Sequence, residues 1–177
     1  MINVNNINLN QEIVYRIEKE EVGRYYNIGD RVHIPKLRNT TQYKESKNNI
    51  EELFETVRQK SFTYLPSRMA ARFVLPYNLK TVSKWVDEHY IKRRENVFLL
   101  TMQLTGKIVW CDESIYNEAI LPLKTSEREH LAFKYWETAG ALNEDFKLPE
   151  GLFFEGSAII KDIQQFDTDQ LKAINPK

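Results

Sequence analysis

Three short stretches of the chain combine residue types that suit an anionic ligand and carboxylate chemistry. The first is centred on Arg16, which interrupts the apolar strand pattern of residues 13–17. A guanidinium in the middle of a strand can face a cleft and hold a phosphate or carboxylate through two parallel hydrogen bonds. The alternative is an arginine on an edge strand that points to water.

The second stretch is Pro66-Ser67-Arg68, followed by Arg72. A serine followed by two arginines four residues apart, beside a predicted helix start, suits a phosphate-bearing ligand. Backbone N–H groups at a helix start and guanidinium groups both bind anions. The alternative is that Ser67 is a helix N-cap and that both arginines form salt bridges.

The third stretch is Pro149-Glu150-Gly151-Leu152, which puts a carboxylate at the start of a predicted strand. A glutamate placed there can face a cleft and take part in acid, base or electrostatic chemistry. The alternative is a surface glutamate in a turn, because most glutamates are exposed.

Composition excludes several classes of protein. The chain has 177 residues with 25 basic and 25 acidic side chains, so its net charge is zero. That length predicts one domain, and 42% apolar residues are too many for a disordered chain. The single cysteine, Cys111, allows no internal disulfide and no zinc site of several thiolates. P-loop, dinucleotide-binding, α/β-hydrolase and zinc-protease motifs are absent from the sequence.

The charges are distributed unevenly. Residues 31–94 carry fourteen basic and six acidic side chains, giving +8, whereas residues 95–177 carry eight and fourteen, giving −6. The basic middle predicts attraction of a phosphate-bearing ligand or a nucleic acid, and the alternative is a solvated surface.

Hydrophobic periodicity predicts three amphipathic helices, at residues 46–60, at 79–94, and from Thr125 or Ser126 onwards. Glu51 suits the first turn of the first helix, and Trp85 lies on the apolar stripe of the second. Strands are predicted at 13–18, 31–34, 96–104, 108–111 and 152–163, with another short strand before Pro76. Thr105-Gly106-Lys107 is predicted to be a hairpin turn, and Glu155-Gly156-Ser157 a turn between or within two strands.

The irregular alternation of strands and helices, with antiparallel hairpins, predicts an α+β fold. We expect a single domain over residues 12–165, preceded by an arm or edge strand at 1–11 and followed by a tail at 166–177. Trp85 and Trp136 are expected in the core and Cys111 to be buried, and the three histidines to be surface or packing residues.

The order of these pieces resembles an uncharacterised bacterial and phage family over most of residues 12–163, and that family is similar to the ADP-ribosyltransferase-like fold. The matching stretches, in order, are Val14-Tyr15-Arg16-Ile17, Gly29-Asp30, Pro66-Ser67-Arg68, Arg72-Phe73-Val74, Lys84-Trp85, Val97 to Gly106, the Asp112 region, Tyr135-Trp136 and Glu150-Gly151-Leu152 with Gly156. Arg16 stands where we expect histidine, which suits an arginine-type subclass.

The resemblance implies a split antiparallel sheet around a cleft that binds NAD, with a triad drawn from successive strands. Arg16, Ser67 and Glu150 match the three triad positions, and Glu155 is the second choice for the carboxylate. The implied NAD-binding residues are Arg16, Ser67, Arg68 and Arg72, and no metal is implied.

The implied function is NAD-dependent ADP-ribosyl transfer to an unknown protein or nucleic acid, in a toxin-like or phage–host conflict role. The alternative is a catalytically inactive module on the same fold that binds a nucleotide, a nucleic acid or a protein. No signal sequence or apolar membrane span is evident, so we expect a cytoplasmic protein, in the host if phage-encoded, with no membrane partner.

Overall fold

A computed structural model describes residues 9–34, 49–89 and 94–174, and this part of the chain has the predicted α+β fold. Its five strands are β1 (Leu9–Lys19), β2 (Arg31–Val32), β3 (Arg72–Pro76), β4 (Asn96–Asp112) and β5 (Pro149–Asp167). Its six α-helices are α1 (Glu20–Gly23), α2 (Ile50–Ser61), α3 (Leu79–His89), α4 (Glu113–Ala119), α5 (Thr125–Thr138) and α6 (Thr168–Ala173). A 3₁₀ helix spans Arg68–Ala70.

Parts of several predicted segments lie outside the described residues. These are residues 1–8 of the predicted arm, the predicted start of the first helix at 46–48, and residues 90–93 near the predicted end of the second. A fourth is the predicted tail, of which residues 175–177 lie outside the described residues. The described parts of the three predicted helices correspond to α2, α3 and α5.

The five strands form one antiparallel sheet in the order β2-β5-β3-β1-β4, and β4 also pairs with β5. The pairings β1–β4, β4–β5, β5–β3 and β3–β1 therefore close a ring of four strands. β3 is the short member of this ring. Its residues 72–74 pair with β5, whereas Leu75 and Pro76 pair with β1. The sheet is thus split on both sides of β3, because β1 is not paired with one half of the strand and β5 is not paired with the other half.

The three middle residues of β3 pack in three different hydrophobic clusters, and alternation puts Val74 on the opposite face from the other two. Val74 packs in a cluster built from all four ring strands. Phe73 faces a second cluster with α2, α4 and α5, where Phe54 and Trp136 are buried. Leu75 faces a third cluster with α3 and α6, which contains Val82. The surface of β3 therefore lies between two helical layers.

Gly106 and Gly156, which the sequence placed in turns, lie inside the long strands β4 and β5. The predicted turn at residues 105–107 is therefore wrong. Gly106 and Gly156 are directly opposite each other in the β4–β5 ladder. Both have positive φ, +148° and +120°, and a Cβ on Gly106 would lie 1.9 Å from the Glu155 carbonyl oxygen. Glycine is needed here because the two backbones approach closely, and the strands run on through the bend.

We expect Gly106→Ala to destabilise the protein strongly, because the new Cβ meets backbone and the positive φ disfavours a side chain. The backbone conformation alone costs on the order of 1–3 kcal/mol. Urea unfolding followed by circular dichroism measures the change. Gly140→Ala is the matched control, since a Cβ there meets no atom within 4 Å. Equal midpoints for the two variants would contradict the close approach of β4 and β5.

Candidate functional site

A cleft of about 330 Å³ opens beside β3, between the two helical layers. Its volume is at the lower end of ordinary ligand pockets. β1, β3 and β5 line it from the sheet, and α2, α3, α4 and the 3₁₀ helix line it from the layers. Arg16, Arg68 and Glu150, predicted from separate parts of the sequence, all line this cleft.

Arg16 spans the gap that opens where β1 leaves β3. The described pairing of these strands ends at Tyr15 and Leu75. Beyond that point Arg16 Nη1 donates to the Phe73 carbonyl oxygen at 2.5 Å, and Nε donates to Glu18 at 2.6 Å. The Arg16 side chain is only 14% exposed, so it does not point to bulk water. No described residue accepts a hydrogen bond from its other terminal nitrogen, Nη2.

Arg68 is the centre of a buried ionic network. Its Nε and Nη2 donate to Glu51 at 3.2–3.3 Å, and Nη1 and Nη2 donate to Glu113 at 2.9 and 3.3 Å. Nη1 also donates to the Tyr135 hydroxyl, and the guanidinium carbon lies 4.2 Å from the centre of the Tyr116 ring. One arginine therefore ties the 3₁₀ helix to α2, α4 and α5.

Paired carboxylates keep Arg68 charged although its side chain is only 4% exposed. Burial favours the neutral form, but the neighbouring Glu113 and Glu51 raise the pKa of Arg68 well above its ordinary value. Two carboxylates and one guanidinium leave the network with a net negative charge.

Ser67 and Arg72 are not among the residues that line the cleft. Ser67 Oγ accepts from the Met69 backbone N–H and donates to Glu55 at 2.9 Å, so the N-cap alternative describes its local role. Arg72 donates to the His33 carbonyl oxygen at 2.6 Å. The structure therefore brings together Arg16, Arg68 and Glu150 and leaves these two residues apart.

Glu150 is the second residue of β5 and is only 4% exposed, so the alternative of a surface glutamate in a turn is wrong. Trp85 Nε1 donates to Glu150 Oε2 at 3.1 Å, and the carboxyl group is also in hydrogen-bond contact with Glu113. Burial and the charge of Glu113 raise the pKa of Glu150 well above its ordinary value, and Arg68 offsets this only in part. Its surroundings therefore favour the protonated form of the Glu150 carboxyl group.

Glu155, the second choice for the functional carboxylate, lies far from such an environment. Its side chain is 60% exposed and accepts from Lys107 Nζ at 2.8 Å, in a surface ion pair. Of the two candidate carboxylates, only Glu150 lines the cleft.

Trp85 and His89 form the aromatic wall of the cleft on α3. Their rings are stacked at 4.2 Å with an interplanar angle of 17°. His89 Nδ1 lies 3.0 Å from the Trp85 carbonyl oxygen, one helical turn away. The stack holds the indole so that its N–H reaches Glu150.

Sequence reasoning missed four cleft residues: Glu51, Trp85, His89 and Glu113. Trp85 was expected in a core and His89 on the surface or in packing. Glu51 was assigned to helix-dipole stabilisation, and its one signal was its position next to the apolar stripe of α2. Glu113 directly follows an apolar strand, which is the signal that could have found it.

Cys111 is buried, as expected. Burial raises the pKa of its thiol to about 12, so at neutral pH it is not a thiolate nucleophile. In the described ranges no group of three or more histidine, cysteine or acidic side chains is arranged to hold a metal ion. The same ranges contain no helix of the length and apolarity needed to span a membrane.

Arg68→Met should cost about 3–5 kcal/mol of unfolding free energy, because Glu51 and Glu113 remain buried without their cation. Urea unfolding measures the loss, and Arg31→Met at the exposed position of β2 is the matched control. Adding Glu51→Gln and Glu113→Gln to Arg68→Met should recover much of the loss. A loss below 1 kcal/mol for Arg68→Met would show that the network does not hold the layers together.

Glu150→Gln should change how stability depends on pH. Because the folded-state pKa of Glu150 is raised, the folded protein binds a proton that the unfolded chain releases above about pH 4.3. The wild type therefore loses stability as pH rises from that value through the folded-state pKa, and the variant does not. Urea unfolding at pH 5 and pH 8 should show the variant gaining relative stability at pH 8. An equal difference at both pH values would contradict the assigned shift.

Comparison with known proteins gives a family and no activity. No curated protein matches the sequence. The predicted membership of an uncharacterised family is confirmed by this comparison. The chain belongs to the family described as "Protein of unknown function (DUF2441)", which it matches over residues 2–165.

Proposed function

We propose that the cleft binds NAD and that the protein transfers its ADP-ribose unit to an acceptor. One observation carries this proposal: Arg16 and Glu150 line the same cleft, at the place where the sheet separates around β3. A split antiparallel sheet with a basic residue and a glutamate at one cleft is the arrangement that the sequence resemblance implies. The fold assignment to the ADP-ribosyltransferase-like class is part of the same proposal.

Arg16 is the anion-binding group in this proposal. Hydrogen bonds to Phe73 and Glu18 fix its guanidinium, and Nη2 is available to an NAD phosphate oxygen. Glu18 neutralises part of its charge, so the contact supplies orientation more than long-range attraction. Arg68 acts differently, because its donors are engaged with Glu51, Glu113 and Tyr135.

Glu150 is the catalytic carboxylate in this proposal. Once ionised, it accepts a hydrogen bond from the 2′-hydroxyl of the nicotinamide ribose. Its negative charge stabilises the positive charge that develops on the ribose ring as the glycosidic bond breaks. Because the carboxylate is buried, this stabilisation is stronger than it would be in water.

The proposed reaction balances without a metal or a redox partner. The bond between C1′ and the nicotinamide nitrogen breaks, and its electron pair leaves with neutral nicotinamide. A nucleophilic oxygen or nitrogen of the acceptor, or water, then bonds to C1′ and loses a proton. The acceptor is a protein or a nucleic acid, and water gives hydrolysis.

A second candidate is a module that binds a nucleotide in the same cleft without catalysis. The position of Ser67 favours it, because this member of the implied triad caps the 3₁₀ helix and bonds to Glu55. Under this alternative NAD raises the melting temperature but is not cleaved.

The test is NAD turnover by the purified protein with cell lysate as a source of acceptors. Nicotinamide release and ADP-ribose labelling should both occur, and Glu150→Gln should reduce them by on the order of 10²–10³. NAD should still raise the melting temperature of this variant, because Arg16 is intact.

Glu155→Gln is the matched control, since it removes a carboxylate of the same strand that is exposed. It should retain wild-type turnover. Equal loss in both variants, or no turnover and no NAD-dependent change in melting temperature, would rule out the enzyme.

A further inference from the structure

The surroundings of Glu150 differ from those of the other two buried glutamates that line the cleft. Glu51 and Glu113 each accept hydrogen bonds from Arg68. Among the described contacts, Arg68 donates none to Glu150. The donor to Glu150 is the neutral indole N–H of Trp85. The carboxyl group of Glu150 is therefore buried beside the cation without a direct bond to it.

Glu113 supplies a second buried carboxyl group that lines the same cleft and is in hydrogen-bond contact with Glu150. Two carboxylates are both acceptors and cannot hydrogen-bond to each other unless one of them carries a proton. Two negative charges in contact in a buried site also repel each other strongly. One proton between the two groups would supply the missing donor and remove one of the two charges.

We propose that Glu113 and Glu150 share one proton in the ligand-free cleft, and that Glu113 is a positioning residue that controls when Glu150 becomes a carboxylate. This inference deepens the proposed function and its catalytic part rests on it. Glu150 must lose the proton before it can accept from the ribose hydroxyl. Proton loss is therefore a step that precedes cleavage of the glycosidic bond.

Charged and titratable groups surround the pair on every side. Arg68 offsets the negative charge from the 3₁₀ helix, and Glu51 on α2 adds to it. The others are Arg16 on β1, His89 on α3, Cys111 on β4 and Tyr135 on α5. Only Arg68 among them is both cationic and bonded to a member of the pair, so it keeps Glu113 in place while Glu150 titrates.

The first test is difference infrared spectroscopy of the ligand-free protein, which detects the carbonyl band of a protonated carboxyl group. Ordinary glutamates have a pKa of about 4.3 and lose this band well below neutrality. Wild type should keep one such band at pH 7. Glu150→Gln and Glu113→Gln should both lose it at that pH, and Glu155→Gln should keep it. Absence of the band in the wild type at pH 7 would overturn the proposal.

A second measurement covers the case in which the variants do not fold. The indole N–H of Trp85 donates to Glu150, so its proton resonance should shift as Glu150 ionises. In the wild type this resonance should titrate at a pH well above the ordinary range of glutamate, at the same midpoint as the infrared band. A resonance that titrates near pH 4.3, or does not titrate up to pH 9, would count against the shared proton.

The third measurement is the pH profile of NAD cleavage. Wild-type turnover should rise with pH as Glu150 ionises. Glu113→Gln removes the neighbouring charge and lowers the pKa of Glu150, so the midpoint of its profile should shift to lower pH. A uniform loss at every pH would indicate a merely structural role for Glu113. If the band is present but neither the wild type nor any variant cleaves NAD, the proposed function fails and the shared proton stands. If NAD is cleaved but the band is absent, the proposed function stands and the shared proton fails.

Discussion

The buried charge of Arg68 is the constraint on which the site depends. A guanidinium that is almost entirely out of water is stable only with carboxylates in direct contact, and Glu51 and Glu113 supply them. These partners come from α2 and α4, so both helices must stay against the short 3₁₀ helix. The same contacts fill the donors of Arg68 and leave Glu150 with Trp85 and Glu113. The ionic network therefore ties the layers together and, with burial, contributes to the raised pKa of the cleft carboxyl group.

The sheet provides the opening that this network faces. β3 pairs with β5 along one half and with β1 along the other, so neither neighbour pairs with its full length. Arg16 bonds to the Phe73 carbonyl oxygen where backbone pairing has ended. The long β4–β5 ladder closes the ring on the other side, and its paired glycines allow both strands to bend without breaking. A rigid ring with one incomplete strand produces a cleft in a fixed place.

Sequence patterns predicted the α+β class and the helices α2, α3 and α5, because an apolar stripe with a 3.6-residue period is a local property. They did not predict that β4 continues through Gly106, since the reason for that glycine is its neighbour Gly156 on another strand. The candidate site shows the same division. Arg16 and Glu150 were identified by their unusual positions in strands, whereas Glu51 and Glu113 acquire their roles only from Arg68, far away along the chain.

From these features we propose a cleft in which one buried carboxyl group acts on a bound dinucleotide. The most direct test is a crystal structure of the protein with a non-cleavable NAD analogue. We expect the 2′-hydroxyl of the nicotinamide ribose to lie within hydrogen-bond distance of Glu150, and a phosphate oxygen to accept a hydrogen bond from Arg16. An analogue bound elsewhere, or a ribose turned away from Glu150, would contradict it.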